Sequence, residues 1–360
     1  MFKSLQTNRI FNKFLILIFS ILYVFNRSKR QYIRGKYKNI YKNHQLNRIA
    51  NIIQENYKDY YCIFTRNGIG DIFFVASLIK EFKNLYGGKF VFFTEKKSLV
   101  PFLKAFPSID AISYDKNYRI LQEYQTLQKH ITIGQLNKLF FPYRGTKETY
   151  TFSDNYNNLL YLPLDAKREL PIVGMKNLDA AQKEFFRLRL YPEKTILIIP
   201  DATMFDYRII HAEFWINIAS ELEKRGYQVV FNTKLKEFKN FTTTFLPIMD
   251  FVAFAQKIKY VISFRSGIND LFCGMGITNI SVLYPPNLEV IWADAIDFHK
   301  LHNYHTFTSD NELENMFNIH SLNKTFKTDE VQEIIYDFDD VAIQNEIISN
   351  IEKGIRGNSV

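Results

Sequence analysis

The sequence predicts an α/β protein with two tandem Rossmann-like doubly wound domains facing a central cleft. From residue 60 onward, short runs rich in β-branched and aromatic residues alternate with amphipathic stretches, the pattern of a parallel sheet covered by helices. This alternation occurs twice, on either side of a less regular stretch at about 120–180. The 360 residues, 47% of them hydrophobic, are enough for two domains.

The net charge of +9 comes from one end of the chain. Residues 1–50 hold 11 of the 46 Lys and Arg and none of the 37 Asp and Glu, so the remainder is close to neutral. This distribution argues against a nucleic-acid partner for the folded body.

The same basic end contains an apolar run, Phe14 to Phe25, followed by RSKRQYIRGKYK. Twelve residues are short for a spanning helix, which favours an anchor in the membrane interface held by its basic flank. A signal peptide is the alternative, but no small-residue cleavage site follows Phe25. We therefore expect residues 1–42 to bind a membrane surface. The heavier basic flank follows the run, so the folded body would be cytoplasmic, peripheral or monotopic at the inner face of the cell membrane.

The first series of elements begins with a buried strand at 61–65. It continues with a helix at 71–84, a strand at 89–93, part of a helix at 102–106 and a strand at 111–114. The second series has strands at 195–200, 227–231, 260–264 and 279–285 and helices at 212–226 and 251–258, with Gly226 in the position of a C-terminal cap. One or two terminal helices are expected within 330–355.

These series suggest four parts: a membrane-associating segment at 1–50, a first Rossmann-like domain at 51–185, a second Rossmann-like domain at 186–325 and a helical tail at 326–360. Ligands of doubly wound sheets bind at the carboxyl ends of the strands. The loops of interest are therefore 66–71, 200–211, 232–236 and 265–270.

The first loop reads RNGIGD, from Arg66 to Asp71. Gly68 and Gly70 allow a sharp turn after the strand, and Asp71 begins the following helix. Asp71 is a candidate general base at the cleft. The alternative is that Asp71 only caps the helix.

The second loop, PDATMFDYRIIH, contains Asp201 and Arg208. Its backbone amides and Arg208 could meet an anionic group. From the residues alone, a surface loop in which Asp201 caps a turn is the simpler interpretation.

The third loop reads RSGIND. Ser266 and Gly267 open a helix whose first amides favour an anion, and Arg265 offers a guanidinium fork suited to phosphate. Asp270 lies in the first helical turn, where it competes with phosphate. We expect it to pair with Arg265 or to accept hydrogen bonds from sugar hydroxyls. A capped helix explains every residue of the loop except Arg265.

Other chemistries find little support. The sequence lacks Cys or His clusters at metal-ligand spacing, a Walker-type Gly-Lys-Ser/Thr and a Gly-x-Ser-x-Gly elbow. No metal or cofactor is therefore expected. Cys62 and Cys273 lie in apolar contexts, which does not indicate a disulfide framework.

Taken together, the three loops resemble a GT-B glycosyltransferase of the heptosyltransferase-like family that builds bacterial surface polysaccharides. The resemblance spans about 60–355. It rests on GIGDIFFVASLIKEFKNLYGGKFVFFTEKKSLVPFLKAFPSIDAI and on the pattern from ILIIPDAT through RGYQVVFNT to VISFRSGINDLFCGMGITNISVLYP.

The resemblance implies that residues 51–185 form the acceptor domain and residues 186–325 the nucleotide-sugar domain. It also implies that Asp71 is the base and that Ser266 and Gly267 bind donor phosphates. Three features depart from the family. Asp270 replaces a His, Arg265 is atypical, and the Lys of the loop after strand 195–199 is missing, with Arg208 the nearest substitute. These departures leave the donor open.

The expected protein is an inverting, metal-independent, hexosyl- or heptosyl-transferring glycosyltransferase. It would move a sugar from a nucleotide-diphosphate sugar to a lipid-linked or polysaccharide acceptor in lipopolysaccharide, capsule or other surface glycan synthesis. Its alternatives are a nucleotide-sugar epimerase or hydrolase of the same fold and a non-catalytic, membrane-docked binding protein.

Overall fold

The structure, a computed structural model, describes residues 45, 48–49, 51–64, 68–116, 118, 151–202, 210–284 and 321–357. The predicted membrane segment at 1–42 lies outside this range. No helix among the described residues is long and apolar enough to cross a membrane.

The first sheet, within the described residues, has three parallel strands in the order β1-β2-β3. They are β1 (Tyr60–Phe64), β2 (Lys89–Thr94) and β3 (Ala111–Tyr114). Helix α1 (Ile69–Tyr86) connects β1 to β2, and the short α2 (Val100–Leu103) lies between β2 and β3. The helix predicted to include 102–106 thus begins two residues earlier, at Val100, and already ends at Leu103.

Two helices among the described residues follow, in and just after the stretch where the sequence pattern is irregular. They are α3 (Phe152–Leu159) and α4 (Met175–Leu188). Helix α3 packs against α1, whereas α4 packs against a helix of the second half.

The second sheet, within the described residues, has six parallel strands in the order β6-β5-β4-β7-β8-β9. They are β4 (Thr195–Ile199), β5 (Gln228–Asn232), β6 (Thr243–Thr244), β7 (Tyr260–Phe264), β8 (Ile280–Tyr284) and β9 (Gln332–Ile335). The described helices around it are α5 (Ala212–Lys224), α6 (Ile248–Ala255), α7 (Gly267–Gly274), α8 (Leu322–Phe326) and α9 (Asp340–Gly357).

This strand order places a topological switch point between β4 and β7. The chain builds outward from β4 through β5 to β6, and then returns to β7 on the other side of β4. It is the 3-2-1-4-5-6 order of dinucleotide-binding sheets, in which ligands bind outside the carboxyl ends of the two switch-point strands. The loops after β4 and β7 contain Asp201 and the Arg265–Asp270 turn, respectively.

One apolar core joins the two halves. Buried side chains of α1, such as Phe73, belong to the same cluster as Leu271 of α7 and Leu197 of β4. A second cluster covers the opposite face of the large sheet beneath α5 and α9, and includes Trp215 and Ile347.

The tail corrects one expectation. A helical tail was predicted over 330–355, but Gln332–Ile335 form β9, which pairs in parallel with β8. The neighbouring strand supplies partners for this backbone, and the Glu333 side chain accepts hydrogen bonds from Tyr284, Ser321 and the Leu322 amide. Only the later part of the tail, α9, is helical.

Candidate active site

The N-terminal turns of α1 and α7 touch each other. A Cβ atom on Gly70 would lie 3.0 Å from the Gly267 Cα atom, and one on Gly267 would lie 2.5 Å from the Gly70 nitrogen. These spacings exclude any side chain at either position without movement of the backbone. The two glycines therefore bring the turn after β1 and the turn after β7 into one site.

Asp71 lies on the first-sheet side of this site and is half-buried. Helix α1 begins at Ile69 with Gly68 as its N-cap, so Asp71 is the third residue of the helix and not its cap. Its Oδ1 atom accepts a hydrogen bond from the Tyr156 hydroxyl, and its Oδ2 atom lies over Gly68. The carboxylate thus lies in the positive potential of the helix N-terminus without serving as the cap.

The Ser266–Gly267 turn lies on the second-sheet side. Ser266 is the N-cap of α7, and its backbone N–H donates to Asn269 Oδ1 over 2.7 Å. The Asn269 amide in turn donates to Ser263 Oγ at the end of β7 over 2.9 Å. Ser266, Gly267 and Ile268 are half-exposed while Asn269 is buried, so the turn is held from below and is accessible from the site.

Arg265 and Asp270 form a buried ion pair beneath that turn. The two terminal nitrogens of Arg265 donate to the two Asp270 oxygens over 3.1 and 2.7 Å, and the side chains are only 7% and 4% exposed. Burial disfavours the guanidinium charge, but the Asp270 carboxylate outweighs it, and the pKa of Arg265 is raised. The expected pairing is confirmed. Arg265 also donates to the Ser266 carbonyl, and a direct contact with phosphate stays a prediction.

Asp201 follows β4 at the switch point. Its Oδ1 atom is buried and has no hydrogen-bond partner among the described residues. Burial raises the pKa of the Asp201 carboxyl, although a hydrogen bond with Thr233, which follows β5, acts in the opposite direction. Asp201 is therefore a candidate to receive a ligand's hydrogen-bond donor. Arg66 and Arg208, the other predicted loop residues, lie outside the described range.

The described residues hold no group of three or more His, Cys, Asp or Glu side chains arranged to bind a metal. Both cysteines are free and buried, and burial raises the pKa of the Cys62 thiol to about 11. Burial also raises the pKa of the Cys273 thiol, so neither cysteine is a reactive thiolate.

Sequence reasoning missed Tyr156 and Arg168 beside the site. Both lie in the irregular stretch at 120–180, where α3 was not predicted. The signal available was a polar stripe at helical spacing, Ser153 followed by Tyr156 and Asn157. Its members are buried because they contact Arg168 and Asp71.

Among the solved structures that are similar to this chain, two share its fold over most of their length. The ADP-heptose lipopolysaccharide heptosyltransferase II of E. coli superposes with a TM-score of 0.52 at 12% identity, covering 82% of this chain and 99% of that chain. The glycosyl transferase family 9 protein of Veillonella parvula gives a TM-score of 0.53 at 11% identity, covering 83% and 98%. The chain has the fold of these glycosyltransferases.

This likeness confirms the predicted α/β architecture with parallel sheets and the structural resemblance to heptosyltransferases. No family model matches the sequence, and no curated protein is similar to it at a significant level. At such low identities the likeness concerns the fold, so the chemistry rests on the site itself.

Proposed function

We propose that the protein is a glycosyltransferase that moves a hexose or heptose from a nucleotide-diphosphate sugar to a hydroxyl of a lipid-linked or polysaccharide acceptor. The observation that carries this proposal is the close approach of Gly70, the residue before Asp71, to Gly267 of the Ser266–Gly267 turn, after the carboxyl ends of β1 and β7. A carboxylate and an anion-binding helix terminus are the two groups that such a transfer requires. The fold supports the proposal, which places the protein in bacterial lipopolysaccharide, capsule or related surface glycan synthesis.

The donor is assigned to the second sheet. The accessible Ser266 hydroxyl and the first amides of α7 would hold the diphosphate, and Asp201 would accept a hydrogen bond from the nucleoside. The Arg265–Asp270 pair is neutral overall, so it holds the turn without cancelling the positive end of the helix. That positive end stabilises the departing diphosphate and makes a metal unnecessary for this step.

The acceptor is assigned to the first sheet. Asp71 takes the proton of the acceptor hydroxyl while the oxygen bonds to the anomeric carbon and the bond from that carbon to the diphosphate breaks. Attack from the face opposite the leaving group inverts the anomeric configuration. Residues 1–42 would hold the enzyme at the inner membrane face, near a lipid-linked acceptor.

The first experiment is a thermal-shift panel of nucleoside diphosphates and nucleotide sugars, including UDP-glucose, UDP-N-acetylglucosamine, GDP-mannose and ADP-heptose. A binding donor stabilises the folded protein by mass action. At least one of these compounds should raise the melting temperature. A panel without any stabilising compound would argue against a nucleotide-sugar enzyme.

The second experiment separates transfer from binding with Asp71→Asn. We expect the variant to bind the stabilising nucleotide sugar as the wild type does and to lose at least about 100-fold in transfer rate, the range of general-base catalysis. Asp250→Asn is the matched control, because Asp250 is also a first-turn acid, on α6, and it binds Asn177 away from the site. Unchanged transfer in Asp71→Asn would exclude the base role, and release of free sugar by the wild type without an acceptor would favour a hydrolase.

A further inference from the structure

We propose that Tyr156 is a positioning residue for the Asp71 carboxylate, and that Arg168 holds Tyr156 in place by clamping α3 to α1. The inference rests on the proposed function, because it gives Asp71 the role of base. Tyr156 and Arg168 would orient the base from the side of the first sheet, independently of the half that binds the donor.

Tyr156 is fully buried and reaches Asp71 from the neighbouring helix. Its hydroxyl donates to Asp71 Oδ1, while its ring stacks on Phe74 with centroids 5.3 Å apart and planes at 14°. Phe74 lies three residues after Asp71 on α1, so both contacts fall on one face of that helix. The ring contact fixes where the phenol lies, and the hydrogen bond fixes the orientation of the carboxylate.

The phenol remains a hydrogen-bond donor over the working pH range. Burial, together with the negative charge of Asp71, holds the pKa of Tyr156 well above its usual value. A neutral hydroxyl beside a carboxylate can only donate to it, and such bonds to an ionised acceptor are stronger than neutral ones. A donated hydrogen bond favours the charged form of a carboxylate, which is the form a base requires.

Arg168 connects the two helices a turn further along. Its guanidinium donates to Ser77 Oγ over 3.0 Å and to the Phe74 carbonyl over 3.4 Å on α1. On α3 it donates to Asn157 Oδ1 over 3.0 Å and to Ser153 Oγ. It also lies over the Phe74 ring, 5.1 Å from its centroid.

The clamp uses the planar shape of the guanidinium. Its two terminal nitrogens bind different helices, which a single ammonium cannot reproduce in the same geometry. Helices α1 and α3 are thus joined at two points, Tyr156 with Asp71 and Arg168 with the serine and asparagine side chains. Because a base misplaced by about 1 Å can cost roughly 100-fold in rate, this double attachment matters for turnover more than for donor binding.

The test compares Tyr156→Phe with Tyr118→Phe. Each variant removes the hydroxyl of one buried tyrosine, but the Tyr118 hydroxyl is hydrogen-bonded to Ser113 of β3, and its ring belongs to a different apolar cluster from that of Tyr156. For Tyr156→Phe we expect kcat for transfer to fall about 10-fold or more, with KM for the nucleotide sugar within about twofold of wild type. The acidic limb of the pH–rate profile should move to higher pH, because the Asp71 carboxylate has lost a hydrogen-bond donor that favours its charged form. Tyr118→Phe should leave kcat, KM and the limb unchanged.

Two further variants test the route of the effect. If Tyr156 acts through Asp71, Tyr156→Phe combined with Asp71→Asn should be no slower than Asp71→Asn alone. Arg168→Lys keeps a cation but loses the forked guanidinium. Like Tyr156→Phe, it should therefore lower kcat and leave KM unchanged.

The outcomes distinguish this inference from the proposal on which it rests. A wild-type protein that transfers sugar, with an unmoved acidic limb and unchanged kcat in Tyr156→Phe, would overturn the positioning role alone. A change confined to KM would also overturn it, since it would place Tyr156 in donor binding. Absence of transfer by the wild type with every donor that stabilises it would overturn the proposed function and the positioning role together.

Discussion

The Arg265–Asp270 pair shows how single residues define the donor side of the site. Two opposite charges in one loop are too common in sequences to specify a geometry. In the structure both side chains are buried and joined by two hydrogen bonds beneath the Ser266–Gly267 turn. A buried pair of this kind contributes little net stability, but removal of one partner leaves an uncompensated charge.

Arg265→Met should therefore lower the free energy of unfolding by about 3–5 kcal/mol, because it leaves Asp270 buried without its partner. The double variant Arg265→Met/Asp270→Leu should recover most of that loss. Urea unfolding measures both. An Arg265→Met protein of wild-type stability would contradict this structural role of the pair. If that protein also no longer bound nucleotide, the predicted direct contact of Arg265 with phosphate would explain the loss.

The contact between the glycine turns leads to a second residue-level prediction. Gly267→Ala puts a methyl group against the Gly70 backbone, so it should cost about 1–3 kcal/mol of stability and reduce transfer by forcing α7 away from α1. Gly174→Ala, at the N-cap of α4, is the control, because its added methyl group would meet only Asn177 Oδ1 at 3.5 Å. Equal transfer rates in the two variants would show that the close approach of α1 and α7 is not needed.

Sequence reasoning placed Asp71, Ser266 and Gly267 in turns after strands, as the structure has them, because such turns have recognisable residues. It missed Tyr156 and Arg168 for a physical reason: the buried face of α3 is polar, and hydrophobic periodicity does not detect a face that is buried by hydrogen bonding. The contact between Gly70 and Gly267 joins positions nearly two hundred residues apart. No local pattern specifies that contact.

Among the elements, α4 illustrates how an irregular stretch is attached to the second sheet. Glu184 accepts hydrogen bonds from Arg187 on the same helix and from Thr244 of β6, the latter over 2.6 Å. The hydrogen bond from Arg187, followed by that from Thr244, lowers the pKa of Glu184 against the effect of burial. A carboxylate with a lowered folded-state pKa stabilises the protein above its unfolded-state pKa and loses that contribution as the pH falls.

Glu184→Gln should therefore destabilise the protein by about 1–2 kcal/mol at pH 7, and the difference from wild type should shrink as the pH falls below about 4. Chemical unfolding at pH 7 and near pH 3 measures the two differences. A difference that stays constant between these pH values would show that the charge of Glu184 does not contribute.

The β9 segment shows the limit of local patterns at this scale. EVQEII reads as the start of a helix, yet the edge of β8 offers a parallel partner, and Glu333 accepts hydrogen bonds from four donors in neighbouring segments. Tertiary contacts override the weak helical preference of six residues. The central strands, by contrast, were predicted to within one or two residues, because buried parallel strands are continuous apolar runs bounded by turns.

At the scale of the whole molecule, we propose separate roles for the folded body and the basic N-terminal segment. The described residues supply the sheets and the candidate site, and residues 1–42 are proposed to bind the membrane surface. Replacement of Arg27, Lys29, Arg30 and Arg34 by Gln should weaken binding to vesicles containing phosphatidylglycerol, since each cation near an anionic surface contributes about 1 kcal/mol. Cosedimentation measures the loss. Binding that is unaffected by these substitutions and by salt would contradict an electrostatic role for this flank.

Where the two halves meet, the switch point of the second sheet lies beside the turn that carries the Asp71 carboxylate. The large sheet has the strand order of dinucleotide-binding domains, and α7 at its switch point touches α1 of the first sheet beside Asp71. The repeated alternation of strands and helices predicted each half. It did not predict their contact, which depends on the two glycines.

The most direct test is a crystal structure of the protein with a nucleoside diphosphate that stabilises it. The account predicts that the diphosphate binds at the start of α7, with a phosphate oxygen accepting hydrogen bonds from the Gly267 amide and the Ser266 hydroxyl and with its terminal phosphate directed toward Asp71. A diphosphate bound elsewhere, with the Ser266–Gly267 turn free, would contradict the assignment of this site to a nucleotide sugar.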